Sequence, residues 1–216
     1  MSEGFNQSRV FYFLVKGLFK GALSLYFKVR VRGLEGRELP SPLIVASNHC
    51  SHLDPPFIGA FFPGQLCYLA KEELFHNPLM GLALRGLGAL PVDRDDQRGS
   101  SGPLRLMLKL LKEGRRVLIF PEGTRSPDGR LQPLEEGVAF LSLKARAPVL
   151  PVFIRGTFEA FPKGASFPRP GRVSLSFGDL IWPQGFLQDG APEREARSHM
   201  LKAIGDSLMV LSEGHD

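Results

Sequence analysis

The sequence contains few of the residues that build a disulfide-bonded or metal-stapled protein. Its 216 residues include two cysteines, Cys50 and Cys67, so a disulfide framework is excluded and a reducing compartment is expected. Together with His49, His52 and His76, these thiols lack the paired ligand spacing of structural zinc sites. We therefore expect no metal. A chain of this length suits one domain, whose hydrophobic core must supply the stability.

Two further absences bear on location. No segment has the charged start, apolar centre and small-residue cleavage site of a signal peptide. The most apolar stretch, near the N-terminus, is a poor membrane span because Lys16 and Lys20 interrupt it and a span needs about 20 apolar residues. Acidic residues are also missing between residues 4 and 34, which carry six basic ones. We expect a protein of the cytosol or of the cytosolic face of a membrane.

The first of these basic residues belong to a predicted amphipathic helix. At 100° per residue, an arc of about 120° holds Arg9, Lys16, Lys20, Ser24 and Lys28. The opposite arc is apolar and holds Phe11, Leu14, Val15, Leu18, Phe19, Ala22, Leu25 and Tyr26. One interpretation is an interfacial helix within residues 1–27, with its lysines near anionic headgroups. The other is a helix packed on the domain with a solvated basic face, and the aromatic residues favour the membrane.

Apolar runs and helical patterns alternate after this helix, which predicts an α/β fold. We expect a single domain with a mainly parallel central sheet flanked by helices. Strands are predicted at residues 28–32, 43–46, 66–69, 89–92, 117–120, 149–154 and 173–177. Helices are predicted at about residues 55–62, 77–87, 103–113, 134–145 and 193–211. Ligands of such sheets usually bind where the strands end.

One strand end carries a histidine and an aspartate five residues apart. His49 follows the apolar run 43–46, and Asp54 precedes Pro55 and Pro56, where it has the pattern of a helix N-cap. Positions i and i+5 lie about 140° apart on a helix, so the two side chains can meet only across a loop. A carboxylate on the ring would fix its tautomer and stabilise the imidazolium. Alternatively, Asp54 is only a cap and His49 a polar loop residue.

A second loop, after the strand at 117–120, makes the pattern more specific. Phe120-Pro121-Glu122-Gly123-Thr124-Arg125-Ser126, downstream of Asn48-His49-x-Ser51-x-x-Asp54, resembles the glycerolipid acyltransferases of the lysophosphatidate acyltransferase family. Three further blocks are similar to that family: Tyr68 to Phe75, Gly88 to Arg94 and Val149 to Val152. The resemblance covers roughly residues 28 to 155, within a proposed acyltransferase domain of residues 28–216.

The resemblance implies transfer of a fatty acyl group from a thioester, on acyl carrier protein or coenzyme A, without a further cofactor. The acceptor is the free sn-2 hydroxyl of 1-acylglycerol-3-phosphate and the product is phosphatidate. His49 would remove the hydroxyl proton, with Asp54 holding the ring. Cys50 and Ser51 adjoin His49, but the family chemistry needs no enzyme nucleophile, since the acceptor oxygen itself attacks.

The resemblance also assigns acceptor binding to six positions: Lys71, Arg94, Glu122, Gly123, Thr124 and Arg125. Guanidinium groups bind phosphate with two parallel hydrogen bonds, which suits Arg94 and Arg125, and Lys71 adds a point charge. Glu122 would accept a hydrogen bond from the glycerol or orient Arg125. Each of the three cations is alternatively ordinary surface charge.

Membrane and lipid are therefore the expected partners. A lysophospholipid lies in a bilayer, so we expect a peripheral protein bound to anionic lipids through its first helix, and no nucleic-acid partner. Three alternative functions stay open: acylation of another lyso-lipid, hydrolysis of a thioester by the same pair, and lipid binding without catalysis.

Overall fold

A computed structural model of the chain describes residues 9–92, 101–162, 164–187 and 192–214. The helices are α1 (Arg9–Tyr26), α2 (Asp54–Phe61), α3 (Pro78–Gly86), α4 (Ser101–Lys112), α5 (Gly137–Ala145), α6 (Thr157–Ala160) and α7 (Glu193–Glu213). The strands are β1 (Lys28–Arg32), β2 (Leu43–Ser47), β3 (Tyr68–Lys71), β4 (Ala89–Val92), β5 (Arg116–Ile119), β6 (Val149–Arg155) and β7 (Arg172–Phe177). Two 3₁₀ turns lie at Glu72–Phe75 and Pro183–Phe186.

The strands form a mainly parallel sheet, as predicted. Five of them are ordered β1-β7-β6-β2-β5, and only the β6–β7 pair is antiparallel. β3 and β4 form a parallel pair that adjoins β5 through a parallel bridge between Cys67 and Val117. The carboxyl ends of β2, β3, β4, β5 and β6 therefore lie along one edge of the molecule, where the loops that follow them can meet.

Helices cover both faces of the sheet because its central strands are apolar on both sides. β2 is buried along its whole length. Leu43 and Val45 belong to one core cluster, shared with α2, whereas Ile44 and Ala46 belong to the other, shared with α4, α5 and α7. Strand residues alternate between faces, so a strand between two helical layers reads as a continuous apolar run.

Two predicted boundaries differ from the structure for identifiable reasons. The strand predicted from Leu66 begins at Tyr68, because the Leu66 N–H donates to the Tyr12 hydroxyl at 3.1 Å instead of joining a regular ladder. The helix predicted from residue 134 begins at Gly137. There the Glu135 N–H donates to the Pro121 carbonyl at 2.8 Å, which holds that segment against the loop after β5.

Helix α1 packs on the domain through an unexpected face. Tyr12 and Lys16 are its buried residues. The Lys16 ammonium donates to the carbonyls of Phe62 and, at 2.7 Å, of Gly64, beyond the end of α2. Burial, with a smaller contribution from the charge of Lys20, lowers the pKa of Lys16 to about 8. The prediction that Lys16 lies on an exposed basic face is therefore wrong: its partners are backbone carbonyls of the domain.

The outward side of α1 is apolar instead. Val10, Leu14, Leu18 and Leu25 are 69%, 68%, 72% and 90% exposed. Helix α3 packs beside α1, at a close approach where a Cβ on Gly86 would lie 2.6 Å from Val15 Cγ1. Together these helices present an exposed leucine surface, which we define as Val10, Leu14, Leu18 and Leu25 of α1 with Leu79 and Leu82 of α3. Among the described residues, no helix is long and apolar enough to cross a membrane.

The Lys16 contacts can be tested by removing the ammonium while keeping a linear side chain. We expect Lys16→Met to lower the free energy of unfolding by about 1–3 kcal/mol, because the buried Phe62 carbonyl loses the ammonium and the partly buried Gly64 carbonyl keeps only the longer bond from the Tyr12 hydroxyl. The matched control is Lys28→Met, at an exposed lysine of β1, which we expect to stay within about 0.5 kcal/mol of the wild type. Urea unfolding measures both. Equal stability of the two variants would contradict the anchoring role of Lys16.

Candidate active site

The loop after β2 is attached to the neighbouring strand by a single side chain. The Asn48 amide donates to the Ile154 carbonyl at 2.9 Å and accepts the Ile154 N–H at 2.7 Å. Beyond the end of β2, the side-chain amide of Asn48 thus makes the two hydrogen bonds to β6 that a backbone peptide group would make inside the sheet. This fixes the next residue, His49, at the carboxyl edge between β5 and β6.

The predicted contact between the imidazole and the carboxylate is present. His49 Nδ1 lies 2.9 Å from Asp54 Oδ2. The Asp54 side chain is fully buried and the His49 side chain is 18% exposed. The His49 ring also stacks on Phe120, with ring centroids 4.0 Å apart. The ring is held at one nitrogen and on one face, and Nε2 is the nitrogen that Asp54 does not occupy.

Asp54 makes this contact because it does not cap α2, which corrects the N-cap prediction. Leu53 occupies the cap position and Asp54 is the first helical residue. Pro55 and Pro56 have no N–H groups, so the start of the helix offers an aspartate little to bond. The carboxylate turns back instead: Oδ2 accepts the N–H groups of Cys50 at 2.7 Å and Ser51 at 2.8 Å.

The other oxygen of Asp54 is bound by a residue that the sequence analysis missed. Thr157, the first residue of α6, donates its hydroxyl to Asp54 Oδ1 at 2.6 Å. Thr157 is fully buried and lies 103 positions away in the sequence. It belongs to the segment after β6, which carries none of the blocks similar to the acyltransferase family. Only the order of strands in the sheet brings it under the loop from His49 to Asp54.

Glu122 braces the site from the second loop. Its Oε1 accepts the His49 N–H at 2.6 Å and its Oε2 accepts the Gln132 N–H at 2.7 Å. The residue is buried, and this burial raises the pKa of Glu122 above its usual value, against the lowering effect of the two N–H groups. Each oxygen of the Glu122 carboxylate thus accepts a hydrogen bond from a backbone N–H group. Glu122 therefore supports the backbone of His49 instead of orienting the side chain of Arg125.

The remaining predicted acceptor residues lie around the same edge. Gly123 has a φ of 69°, and a Cβ there would lie 2.6 Å from Glu135 Oε1, so this turn needs glycine. Thr124 is exposed and Arg125 half-buried. Burial and the charge of Arg125 lower the pKa of His52, so this guanidinium lies close to the loop from His49 to Asp54. Lys71 is exposed at the carboxyl end of β3. Arg94 lies outside the described residues.

Neither neighbour of His49 has the environment of a nucleophile. Cys50 is 5% exposed, and burial raises the pKa of its thiol to about 12. Its sulfur lies 3.3 Å from the Thr157 hydroxyl oxygen. The Ser51 hydroxyl is buried and donates to the Phe161 carbonyl at 2.9 Å. A thiol that stays protonated and a hydroxyl that is already engaged are poor nucleophiles.

A cavity of about 370 Å³ opens beside His49. It is mostly apolar, and its lining includes Leu69, Leu104, Met107, Ile119, Phe120, Val138 and Leu141. The volume falls in the range of small-molecule pockets. The described residues contain no group of three His, Cys, Asp or Glu side chains that could hold a metal ion. The imidazole held by Asp54 is therefore one of the groups that line a mostly apolar cavity.

Comparison with known proteins relates this geometry to one family. The sequence model of the family described as Acyltransferase matches residues 28–155. A 1-acyl-sn-glycerol-3-phosphate acyltransferase of Bacillus subtilis (strain 168) is 31% identical over 198 residues, which are 91% of this chain and 94% of that protein. The chloroplastic 1-acyl-sn-glycerol-3-phosphate acyltransferase BAT2 of Brassica napus is 36% identical over 150 residues. These are 67% of this chain and 42% of that relative.

A solved structure shares the fold. The crystal structure of the 1-acyl-sn-glycerophosphate acyltransferase of Thermotoga maritima superposes with a TM-score of 0.76 and 30% sequence identity. The match covers 95% of this chain and 81% of the Thermotoga chain. It therefore extends beyond residues 28–155 to nearly all the helices and strands described above.

The buried state of the thiols makes a direct prediction. We expect neither Cys50 nor Cys67 to react with dithionitrobenzoate in the folded protein near neutral pH, because burial raises their pKa values to about 12 and about 11. Both should react in concentrated guanidinium chloride, where burial is lost. One reactive thiol in the folded protein, absent from Cys50→Ala, would contradict this and restore Cys50 as a candidate nucleophile.

Proposed function

Because the chain belongs to the acyltransferase family, we propose that it moves a fatty acyl group from a thioester to the sn-2 hydroxyl of 1-acylglycerol-3-phosphate, giving phosphatidate. The observation that carries the proposal is the His49–Asp54 contact at 2.9 Å beside the apolar cavity. The donor is acyl carrier protein or coenzyme A bearing the acyl thioester. No cofactor enters the proposed chemistry.

In the proposed reaction His49 acts as a general base. Nε2 takes the hydroxyl proton as the acceptor oxygen forms a bond to the thioester carbonyl carbon. The tetrahedral intermediate then collapses, the C–S bond breaks, and the imidazolium returns the proton to the leaving sulfur. Asp54 stabilises the imidazolium between these steps. No acyl-enzyme forms, in keeping with the buried thiol of Cys50 and the engaged hydroxyl of Ser51.

The apolar cavity is proposed to hold an acyl chain. His49 is among its lining residues, and most of the others are apolar side chains such as leucine, isoleucine, methionine and valine. Removing each methylene group of a fatty chain from water contributes about 0.8 kcal/mol, so even a few buried methylenes bind well. A chain held there brings its carbonyl carbon to the edge of the sheet, next to Nε2.

The phosphate of the acceptor is proposed to bind the cations of the same edge. Arg125, near the histidine loop, supplies a planar pair of donors, and Lys71 supplies a point charge. Arg94 is added to these proposed phosphate-binding residues on the family resemblance of its sequence block alone. Gly123 and Thr124 form the exposed turn over which the glycerol lies. Glu122 contributes through the backbone of His49, which it holds at 2.6 Å.

The exposed leucine surface is proposed to rest in the membrane. Residues 1–27 then contribute the membrane-associating helix and residues 28–216 the acyltransferase domain. Leucines that are more than half exposed are unfavourable in water and favourable at the acyl-chain boundary of a bilayer. The basic residues Arg9, Lys20 and Lys28 would meet anionic headgroups. We propose a peripheral protein on the cytoplasmic face of the membrane, without a nucleic-acid partner.

The base assignment is tested by thiol release from an acyl thioester with and without lysophosphatidate. We expect the wild type to need the acceptor and His49→Ala to lose about 10²–10⁴-fold in kcat. His52→Ala is the matched control: it replaces an exposed histidine of the same loop and should keep most of the activity.

Other outcomes point to other functions. Thiol release that is independent of any acceptor would indicate a thioester hydrolase. Turnover of a different lyso-lipid, with none of lysophosphatidate, would change the acceptor and keep the chemistry. Equal rates for the wild type and His49→Ala would remove His49 from the mechanism.

The membrane assignment is tested by the double substitution Leu14→Ser with Leu18→Ser. We expect at least a tenfold weaker binding to vesicles containing anionic phospholipid, since each leucine contributes about 1.5–3 kcal/mol when buried in lipid. The matched control is Met209→Ser with Val210→Ser, two exposed apolar residues of α7. Point substitutions suit this test better than removal of residues 1–27, which would also delete the buried core residues Tyr12 and Phe27. Equal binding of both double variants would contradict the proposal.

A further inference from the structure

A sharp turn at the end of β6 brings Thr157 against the loop from His49 to Asp54. Gly156 has a φ of 88°, and a Cβ at this position would lie 2.0 Å from the Arg172 carbonyl oxygen. Only glycine fits that approach. The turn ends β6 at Arg155 and starts α6 at Thr157, whose side chain is fully buried against Asp54 and Cys50.

The two oxygens of Asp54 have different partners. Oδ2 receives the N–H groups of Cys50 and Ser51 and lies 2.9 Å from His49 Nδ1. Oδ1 receives the Thr157 hydroxyl at 2.6 Å. Within the described ranges of the chain, Thr157 is the one oxygen or nitrogen donor to Oδ1. The other group near Oδ1 is the Cys50 thiol, a weak donor whose sulfur lies 3.9 Å away.

We propose that Thr157 is a positioning residue for acyl transfer: its hydroxyl holds Oδ1 and thereby keeps Oδ2 on the His49 ring. This inference rests on the proposed function of His49 as the base. Rotation of the Asp54 carboxylate about its terminal bond would move Oδ2 off the ring, and the imidazole would then lose the partner that fixes its tautomer. With Oδ1 held, that rotation would break a short hydrogen bond to a charged group, which is among the stronger kinds in proteins.

The hydroxyl proton of Thr157 is free for this task. Thr157 Oγ1 lies 3.3 Å from Cys50 Sγ, where either atom could donate. Since the hydroxyl has one proton and gives it to Asp54, Thr157 Oγ1 acts toward the thiol only as an acceptor. The thiol stays protonated near neutral pH because burial raises its pKa to about 12. A protonated thiol therefore does not compete with Asp54 for the hydroxyl proton of Thr157.

A purely structural role for Thr157 makes different predictions. If its hydroxyl only holds α6 against the loop, its loss lowers stability and affects a variant without Asp54 as much as the wild type. If it acts through Asp54, its loss lowers kcat and has no further effect once Asp54 can no longer serve. A double-mutant cycle separates the two.

The experiment measures acceptor-dependent thiol release by the full-length protein and its variants. Thr157→Val removes the hydroxyl at nearly constant volume, and we expect kcat to fall by about 10–100-fold with the KM of both substrates little changed. Thr157→Ser keeps the hydroxyl and should recover most of kcat. Ser142→Ala is the matched control for losing a buried hydroxyl elsewhere, since Ser142 of α5 donates to the Ala147 carbonyl and its loss should affect stability alone.

The cycle is completed with Asp54→Asn, alone and combined with Thr157→Val. We expect the double variant to be no slower than Asp54→Asn. Multiplicative losses, or a Thr157→Ser variant as slow as Thr157→Val, would overturn the positioning role. If Thr157→Val does not fold, Thr157→Ala takes its place, with the same expected loss of kcat.

Two failures are distinguishable. A wild type without acceptor-dependent turnover defeats the proposed function and this inference with it. A wild type that transfers acyl groups, beside a Thr157→Val variant of equal kcat, defeats this inference alone and leaves His49 as the base.

Discussion

The buried carboxylate of Asp54 is the group on which the site depends. A fully buried carboxylate is costly unless hydrogen bonds replace its water, and here the donors come from the backbone of its own loop and from Thr157. These bonds shape the loop from His49 to Asp54 as much as they hold the side chain. The same interactions that make the burial tolerable therefore set the direction of the imidazole.

A second carboxylate, Glu122, supports the same histidine from the loop that follows the neighbouring strand β5. It accepts the backbone N–H of His49 and that of Gln132, and the Ser126 N–H donates to the His49 carbonyl at 2.7 Å. His49 is thus held at its ring by Asp54 and at its backbone by the loop after β5. Rigid support of this kind lowers the cost of ordering a base for proton transfer.

Local signals carried most of what could be predicted. The apolar run of β2 predicts a buried strand, and the alternation of apolar runs with helical patterns predicts the mainly parallel sheet. The two prolines after Asp54 predict a helix start close to the observed one, but the cap is Leu53. The pairing of His49 with Asp54 rested on a spacing and a family resemblance. Thr157 was missed because its role depends on which strands are neighbours, and no local pattern states that β6 lies beside β2. The prediction that Lys16 is exposed was wrong because a helical wheel does not show which backbone carbonyls of the domain lie beside the helix.

The tie between Asn48 and Ile154 has a consequence for the making of the protein. The Asn48–Ile154 contacts and the Thr157–Asp54 contact both require β6, which is more than one hundred residues beyond Asn48. A growing chain that has emerged only through the loop after β5 already contains His49, Asp54 and Glu122, yet the loop from His49 to Asp54 lacks its attachment to β6. Contacts between such distant segments carry a large loop-closure cost. The geometry around Asp54 is therefore complete only once β6 has joined the sheet.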